Sequence, residues 1–204
     1  TTISTADTAI ATGIVKIDGK LINKPSEKID DSAEHDVVFQ NSIPYVGRGG
    51  LKLEAALDAF NADPHEKVCI DIGASTGGFT DCLLRHGATR VYAVDSGHGQ
   101  LASELLTDDR VVSLEGVNAR FLDRDIISEA ADMIVMDVSF ISQTLIIPRF
   151  VDLLTDSGIA ITLIKPQFEC GREAVGKGGI VKKPEHRLFA IRKVFAVDDL
   201  DSAL

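Results

Sequence analysis

Cysteine is scarce in this 204-residue chain: Cys69, Cys82 and Cys170 are odd in number and never form a C-x-x-C pair. That disfavours a disulfide framework and a zinc knuckle and suits a reducing cytoplasm. Histidine is equally thin. The five histidines include no H-x-x-x-H pair, so no metal is expected. No window approaches the ~18 uninterrupted apolar residues that a membrane helix needs. The opening Thr1-Thr2-Ile3-Ser4-Thr5-Ala6-Asp7 lacks the basic and apolar segments of a secretory leader. Neither a membrane nor export is expected. An excess of positive charge is missing too: 21 basic against 31 acidic residues leave a formal charge of −10. That total argues against a protein coated in cations and leaves a local patch open.

What is present suits a soluble globular protein. Hydrophobic residues make up 45% and charged residues 25%, and the length allows one domain, or one with a small appendage. From Lys165 to Lys193 there are eight basic and three acidic residues. Such a run is either a solvated face or a surface that meets a polyanion.

Residues 1–44 read as a small α+β appendage. A short helix is expected over 4–11, then a hairpin in which Asp18-Gly19 joins Ile14–Ile17 to Lys20–Ile22 through a type I′ turn. Val37–Phe39 adds a further β segment. Pro44 and Gly47-Arg48-Gly49-Gly50 mark the boundary. From 45 to 204 the pattern alternates. A helix over Leu51–Phe60 precedes five apolar runs, Val68–Ile72, Val91–Val94, Val111–Leu114, Met133–Met136 and Ile159–Ile164, with helices expected over Phe79–His86, Thr144–Leu154 and Pro184–Val197. Strands without inside–outside alternation, separated by helices, indicate an α/β, Rossmann-like parallel sheet covered on both faces. With no further strand expected after the last helix, the sheet reads as incomplete for that architecture.

The first of these strands runs into Asp71-Ile72-Gly73-Ala74-Ser75-Thr76-Gly77-Gly78-Phe79 and then a helix. Glycines there let a ligand approach the backbone, and the helix start offers free N–H groups. Asp95 ends the second strand, where a carboxylate can take two ribose hydroxyls. The G-x-G-x-x-G spacing of a pyrophosphate cradle is missing, and Asp71 suits an ammonium, so S-adenosylmethionine is favoured over a dinucleotide. A rival is the G-x-S-x-G elbow of hydrolases, Gly73 to Gly77, with Asp137 and His186 following in order. That elbow belongs after several strands, not after the first, and His186 falls in a helical pattern. Three more polar residues stand at the catalytic edge of such a sheet: Asp137 ending the fourth strand, Lys165 ending the fifth, and Lys52 opening the helix before the first. Two ammonium groups beside one carboxylate could tune an amine into a base for an alcohol.

Four stretches taken together, Tyr45-Val46-Gly47-Arg48-Gly49-Gly50-Leu51-Lys52-Leu53, Asp71 to Asp81, Met136-Asp137-Val138-Ser139-Phe140-Ile141-Ser142 and Ile164-Lys165-Pro166-Gln167-Phe168-Glu169, resemble the TlyA family. Its members carry haemolysin names, and its catalytic domain is FtsJ-like. The resemblance implies S-adenosylmethionine-dependent 2′-O-methylation of ribose, with ribosomal RNA or a ribosomal subunit as partner. It implies a Lys-Asp-Lys-Glu tetrad, matched by Lys52, Asp137 and Lys165. No residue matches the glutamate, since Glu169 and Glu173 stand elsewhere. It also implies that Asp71, Gly73, Ser75, Thr76, Gly77, Gly78 and Phe79 line the methionine side of the cofactor, Asp95 the ribose, and Asn118 and Ala119 the adenine. Arg48, Lys177, Lys182 and Lys183 would face RNA. Residues 14–24 resemble the second half of an S4 RNA-binding domain. Two other classes remain beside this one: a non-catalytic RNA-binding module, and a membrane-active toxin, for which no basic amphipathic helix is evident.

Overall fold

The computed structural model describes residue 10 and residues 15–22, 24–30, 33–39 and 44–197. The chain divides into two compact units, Thr1–Pro44 and Tyr45–Leu204. In the first, β1 (Val15–Ile17) pairs antiparallel with β2 (Lys20–Leu21) on one side and with β3 (Val37–Phe39) on the other. Asp18 and Gly19 both have positive φ, 51° and 78°, as a type I′ turn requires. The helix expected over 4–11 lies, Ile10 apart, outside the described residues.

The second unit opens with α1 (Gly49–Phe60) and β4 (Val68–Ile72), continues through α2 (Gly78–Arg85), β5 (Arg90–Asp95), α3 (Ser103–Leu106), β6 (Val111–Glu115) and β7 (Ala131–Met136), and reaches β8 (Leu154–Thr162) after α4 (Phe150–Leu153). All five strands are parallel, in the order β6-β5-β4-β7-β8. The chain therefore starts at the centre, builds to one edge, and returns to fill the other. Between β4 and β7 the order reverses, and ligands bind above such a switch point. The central strands carry no alternation because both of their faces are covered: Ile70, Ile72, Ile134 and Met136 are fully buried on one face with Leu122, Ile127 and Leu153, and Cys69, Met133 and Val135 are fully buried on the other. Truncating one of them, as in Ile134→Ala, removes ~2–5 kcal/mol of stability.

Two expectations need correction. The helix over Thr144–Leu154 is broken into 3₁₀ turns at Gln143–Leu145 and Ile147–Arg149 before the single α turn of α4. Pro148 lies in that stretch and cannot donate to a continuous helix. The last strand begins earlier than the apolar run suggests, because Leu154 already pairs with Ala131. The register then jumps so that Met133 faces Ile159, and residues 155–158 bulge from the ladder. At its other end β8 stops at Thr162, with one more bond from Leu163 N to Met136 O (2.8 Å). Lys165 therefore stands beyond the strand, as the N-cap of α5 (Pro166–Glu169). The final helix is α6 (Pro184–Phe195). Among the described residues, no helix is long and apolar enough to cross a membrane.

Candidate active site

The turn after β4 is shaped by how close it comes to β7. Gly73 has φ +87°, and a Cβ there would lie 2.8 Å from the Asp137 carbonyl oxygen. Only glycine suits both the conformation and the gap. Gly73 N and Ala74 N donate to Val94 O (2.8 and 3.1 Å), and Asp137 N donates to Ile72 O (3.0 Å), which fixes Asp137 beside the turn. Gly77 then caps α2 in the left-handed region.

Lys52 arrives from another direction. Val46 N donates to Asp81 Oδ2 (2.9 Å) and Tyr45 Oη to Glu54 Oε1 (2.8 Å). The Tyr45 ring occupies the space a side chain at position 50 would need. The start of α1 is thereby held against α2. Lys52 sits in the first turn of α1, where a cation opposes the helix dipole and no acidic residue offsets it. Its counter-charge is remote in sequence: Lys52 Nζ donates to Asp137 Oδ2 at 3.3 Å. The other oxygen, Oδ1, lies 2.5 Å from Lys165 Nζ, which also donates to Ser139 Oγ (2.9 Å). One carboxylate thus holds two ammonium groups. Lys165 is 20% exposed against 53% for Lys52, so the inner amine is much the less hydrated.

Two hollows meet at this cluster. One, of ~600 Å³, is lined by Lys52, Asp137, Lys165 and Arg48 together with Gly73, Ser75, Thr76, Gly78 and Phe79. Its neighbour, of ~620 Å³, contains Asp95, Asn118 and Ala119 and shares Gly73, Ser75, Asp137 and Ser139 with the first. Each is of the size that accepts a small molecule. Asp95 is braced for a role at the rim, its oxygens accepting from Ser75 N (2.8 Å) and Gly97 N (2.7 Å).

Asp71 and Gly77 line neither hollow. Asp71 is fully buried beneath the turn, where Thr80 Oγ1 donates to its Oδ2 (2.7 Å) and Oδ1 has no partner. Burial pushes its carboxyl up to about 7. Gly77 packs against Leu101 and Leu105. Lys177, Lys182 and Lys183 are exposed and outside both hollows. The hydrolase arrangement is not assembled: Ser75 Oγ donates to Gln100 (3.3 Å), and among the described residues no histidine lines either hollow.

Residues not singled out from sequence also stand here. Ser139 contacts Lys165, and Gly97 and Gln100 border the second hollow. Phe140 lines that hollow too, is 92% exposed, has φ +64°, and sets its ring 5.2 Å from that of Phe168. A large apolar side chain kept in water on a strained backbone is a mark of function. The signal in the sequence was its place in the Met136–Ser142 stretch, three residues after Asp137.

Residues 45–199 match the FtsJ-like methyltransferase family. Hemolysin A of Brachyspira hyodysenteriae is 47% identical over 180 residues, covering 88% of this chain and 74% of that protein. The 16S/23S rRNA (cytidine-2′-O)-methyltransferase TlyA of Mycobacterium tuberculosis is 43% identical over 188 residues, 92% of this chain and 69% of that protein. A solved structure of a hemolysin-named protein from Streptococcus thermophilus superposes with a TM-score of 0.76 at 43% identity, covering 96% of this chain and 71% of its own.

Proposed function

The chain belongs to the FtsJ-like methyltransferase family, and from that premise we propose that it methylates ribose 2′-hydroxyls in ribosomal RNA with S-adenosylmethionine, Lys52, Asp137 and Lys165 forming the reacting centre. One observation carries the reading: Lys52 and Lys165 converge on the Asp137 carboxylate within a hollow that Gly73, Ser75, Thr76, Gly78 and Phe79 also line. The residues fit the cofactor. At Gly73 there is no room for a side chain, so bare backbone faces the ligand. Asp95 accepts one N–H on each oxygen and keeps acceptor capacity for vicinal hydroxyls. Together the two connected hollows suit a ligand with separate amino-acid and nucleoside ends.

When bound, S-adenosylmethionine supplies an electrophilic methyl group on a cationic sulfur. With its own extra proton first passed to solvent, the neutral Lys165 Nζ takes up the proton that leaves the 2′-hydroxyl. Asp137 and Ser139 aim that amine, while Lys52 adds positive field beside the developing alkoxide and draws the RNA backbone in. Alignment supplies most of the acceleration, since moving a reactant by ~1 Å can cost about 10²-fold in rate. Exposed Phe140 offers a face on which an unstacked base can lie. The exposed lysines 177, 182 and 183 attract phosphates. We read residues 1–44 as a partial S4-like RNA-binding unit, on the likeness of 14–24 and its antiparallel sheet. Ribosomal RNA as substrate puts the reaction in the cytoplasm.

The test is methyl transfer from labelled S-adenosylmethionine to ribosomal RNA, with ribose methylation mapped by nucleotide. Lys165→Ala is expected to transfer at under about 1% of the parent rate while calorimetry gives cofactor affinity within about threefold. Near-parent transfer by that variant sinks the assignment.

A further inference from the structure

Behind the reacting residues lies a buried carboxylate with no part in that chemistry. Glu169 ends α5, and its side chain is 1% exposed. Its Oε1 accepts from Gln143 N (2.8 Å), and its Oε2 accepts from Ser142 Oγ (2.5 Å) and Lys193 Nζ (3.2 Å). Lys193 also donates to Ser142 Oγ and to the Glu169 carbonyl, both at 3.1 Å. Gln143, itself buried, donates through Nε2 to Leu163 O (2.6 Å). These bonds tie together three pieces of chain: the loop leaving β7, which carries Asp137 and Ser139; the loop leaving β8, which carries Lys165; and α6.

Stability alone does not account for this arrangement. A buried ionised group is costly unless fully paired, and an apolar residue of similar volume fills such a space at lower cost. What the carboxylate adds is direction. Ser142 follows Asp137 by five positions and Leu163 precedes Lys165 by two, so the clamp sits one short stretch of backbone from each partner of the ion pair. We propose that Glu169 is a positioning residue: by bonding the loop after β7 to the loop after β8 it fixes Lys165 against Asp137 and Ser139. Lys193 extends the clamp to α6, the helix that follows the basic segment 171–183. The rate consequence rests on Lys165 acting as proposed above, whereas the geometric consequence does not.

The full chain serves for both tests. Acetic anhydride labels lysines, and mass spectrometry of each peptide reads Lys165 against Lys67, a half-buried lysine far from the clamp. Glu169→Ala is expected to raise the labelling rate of Lys165 about tenfold with Lys67 unchanged. In steady-state methylation it is expected to lower kcat, per cofactor-binding site, by about 10- to 100-fold, with KM for ribosomal RNA within about threefold. Glu169→Gln, which keeps an acceptor for Gln143 N, is expected to recover kcat to within about fivefold of the parent. Should Glu169→Ala not fold, Ser142→Ala cuts one link and is expected to raise Lys165 labelling about threefold. Unchanged Lys165 labelling in a folded variant overturns the clamp. Raised labelling with full activity in both Glu169→Ala and Lys165→Ala overturns the catalytic reading instead and leaves the clamp standing.

Discussion

At the scale of single residues, burial bears heavily on Asp71. Among the described residues no ammonium is paired with it; it lies under the turn with one oxygen on Thr80 and the other without a hydrogen-bond partner. Desolvation is the main cause of its raised titration, to about 7 from an ordinary 3.8, and the Asp137 and Asp95 charges add to it. The consequence for stability has a definite sign. Between about pH 4 and pH 7 the folded chain keeps a proton that the unfolded chain has released. Stability attributable to this group therefore falls as pH rises through that window, and the full penalty stands above it. Asp71→Asn is neutral at every pH and keeps an acceptor for Thr80. The gap in thermal midpoint, variant minus parent, is expected to grow by about 3 °C or more from pH 5 to pH 8. Midpoints that run parallel across that range would show that Asp71 is ionised without penalty.

At the scale of elements, the turn after β4 and the end of β7 behave as one object. Gly73→Ala places a Cβ against the Asp137 carbonyl and also strains a left-handed residue. A cost of ~1–3 kcal/mol is expected, together with a fall in methyl transfer of about 10²-fold because Asp137 is displaced. Thermal melting and kinetics on one preparation measure both, and full activity would separate the turn from the reaction. This coupling was half legible in the sequence. Unalternating apolar runs announced the parallel strands, Asp18-Gly19 announced its hairpin, and the charged residues after the fourth and fifth runs announced the meeting of Asp137 and Lys165 at one sheet edge. The rest depended on partners far along the chain. Leu154 joins β8 only because Ala131 stands beside it, and the side chain of Gln143 serves Leu163, twenty residues on. Local periodicity over 144–154 records neither requirement, so it reads as a helix. Glu169 matched no known role by spacing because its function lies in three segments that meet only once the sheet is built.

At the scale of the whole molecule, the balance of charge decides how a polyanion can approach. The chain carries −10 overall, yet residues 165–193 carry a local excess of five positive charges. On the function proposed above, the acidic remainder would repel RNA and this segment, with Arg48 and Lys52 at the hollow, would attract it, so that the field would orient the encounter. Lys177, Lys182 and Lys183 are exposed and lie outside the hollows. Their contribution should therefore appear in RNA affinity rather than in the chemical step. Each phosphate neutralised steepens the fall of log affinity with log salt by ~0.7 for single strands and ~0.9 for duplexes. Replacing all three lysines by alanine is expected to flatten that slope by ~2 and to weaken binding most at low salt, with kcat at saturating RNA within about twofold of the parent. Filter binding from 50 to 200 mM potassium chloride reads the slope, and single-turnover methylation at saturating RNA reads the chemistry. An unchanged slope would move the RNA path off this segment. An unchanged slope with a lower saturating rate would give the three lysines a part in aligning the ribose.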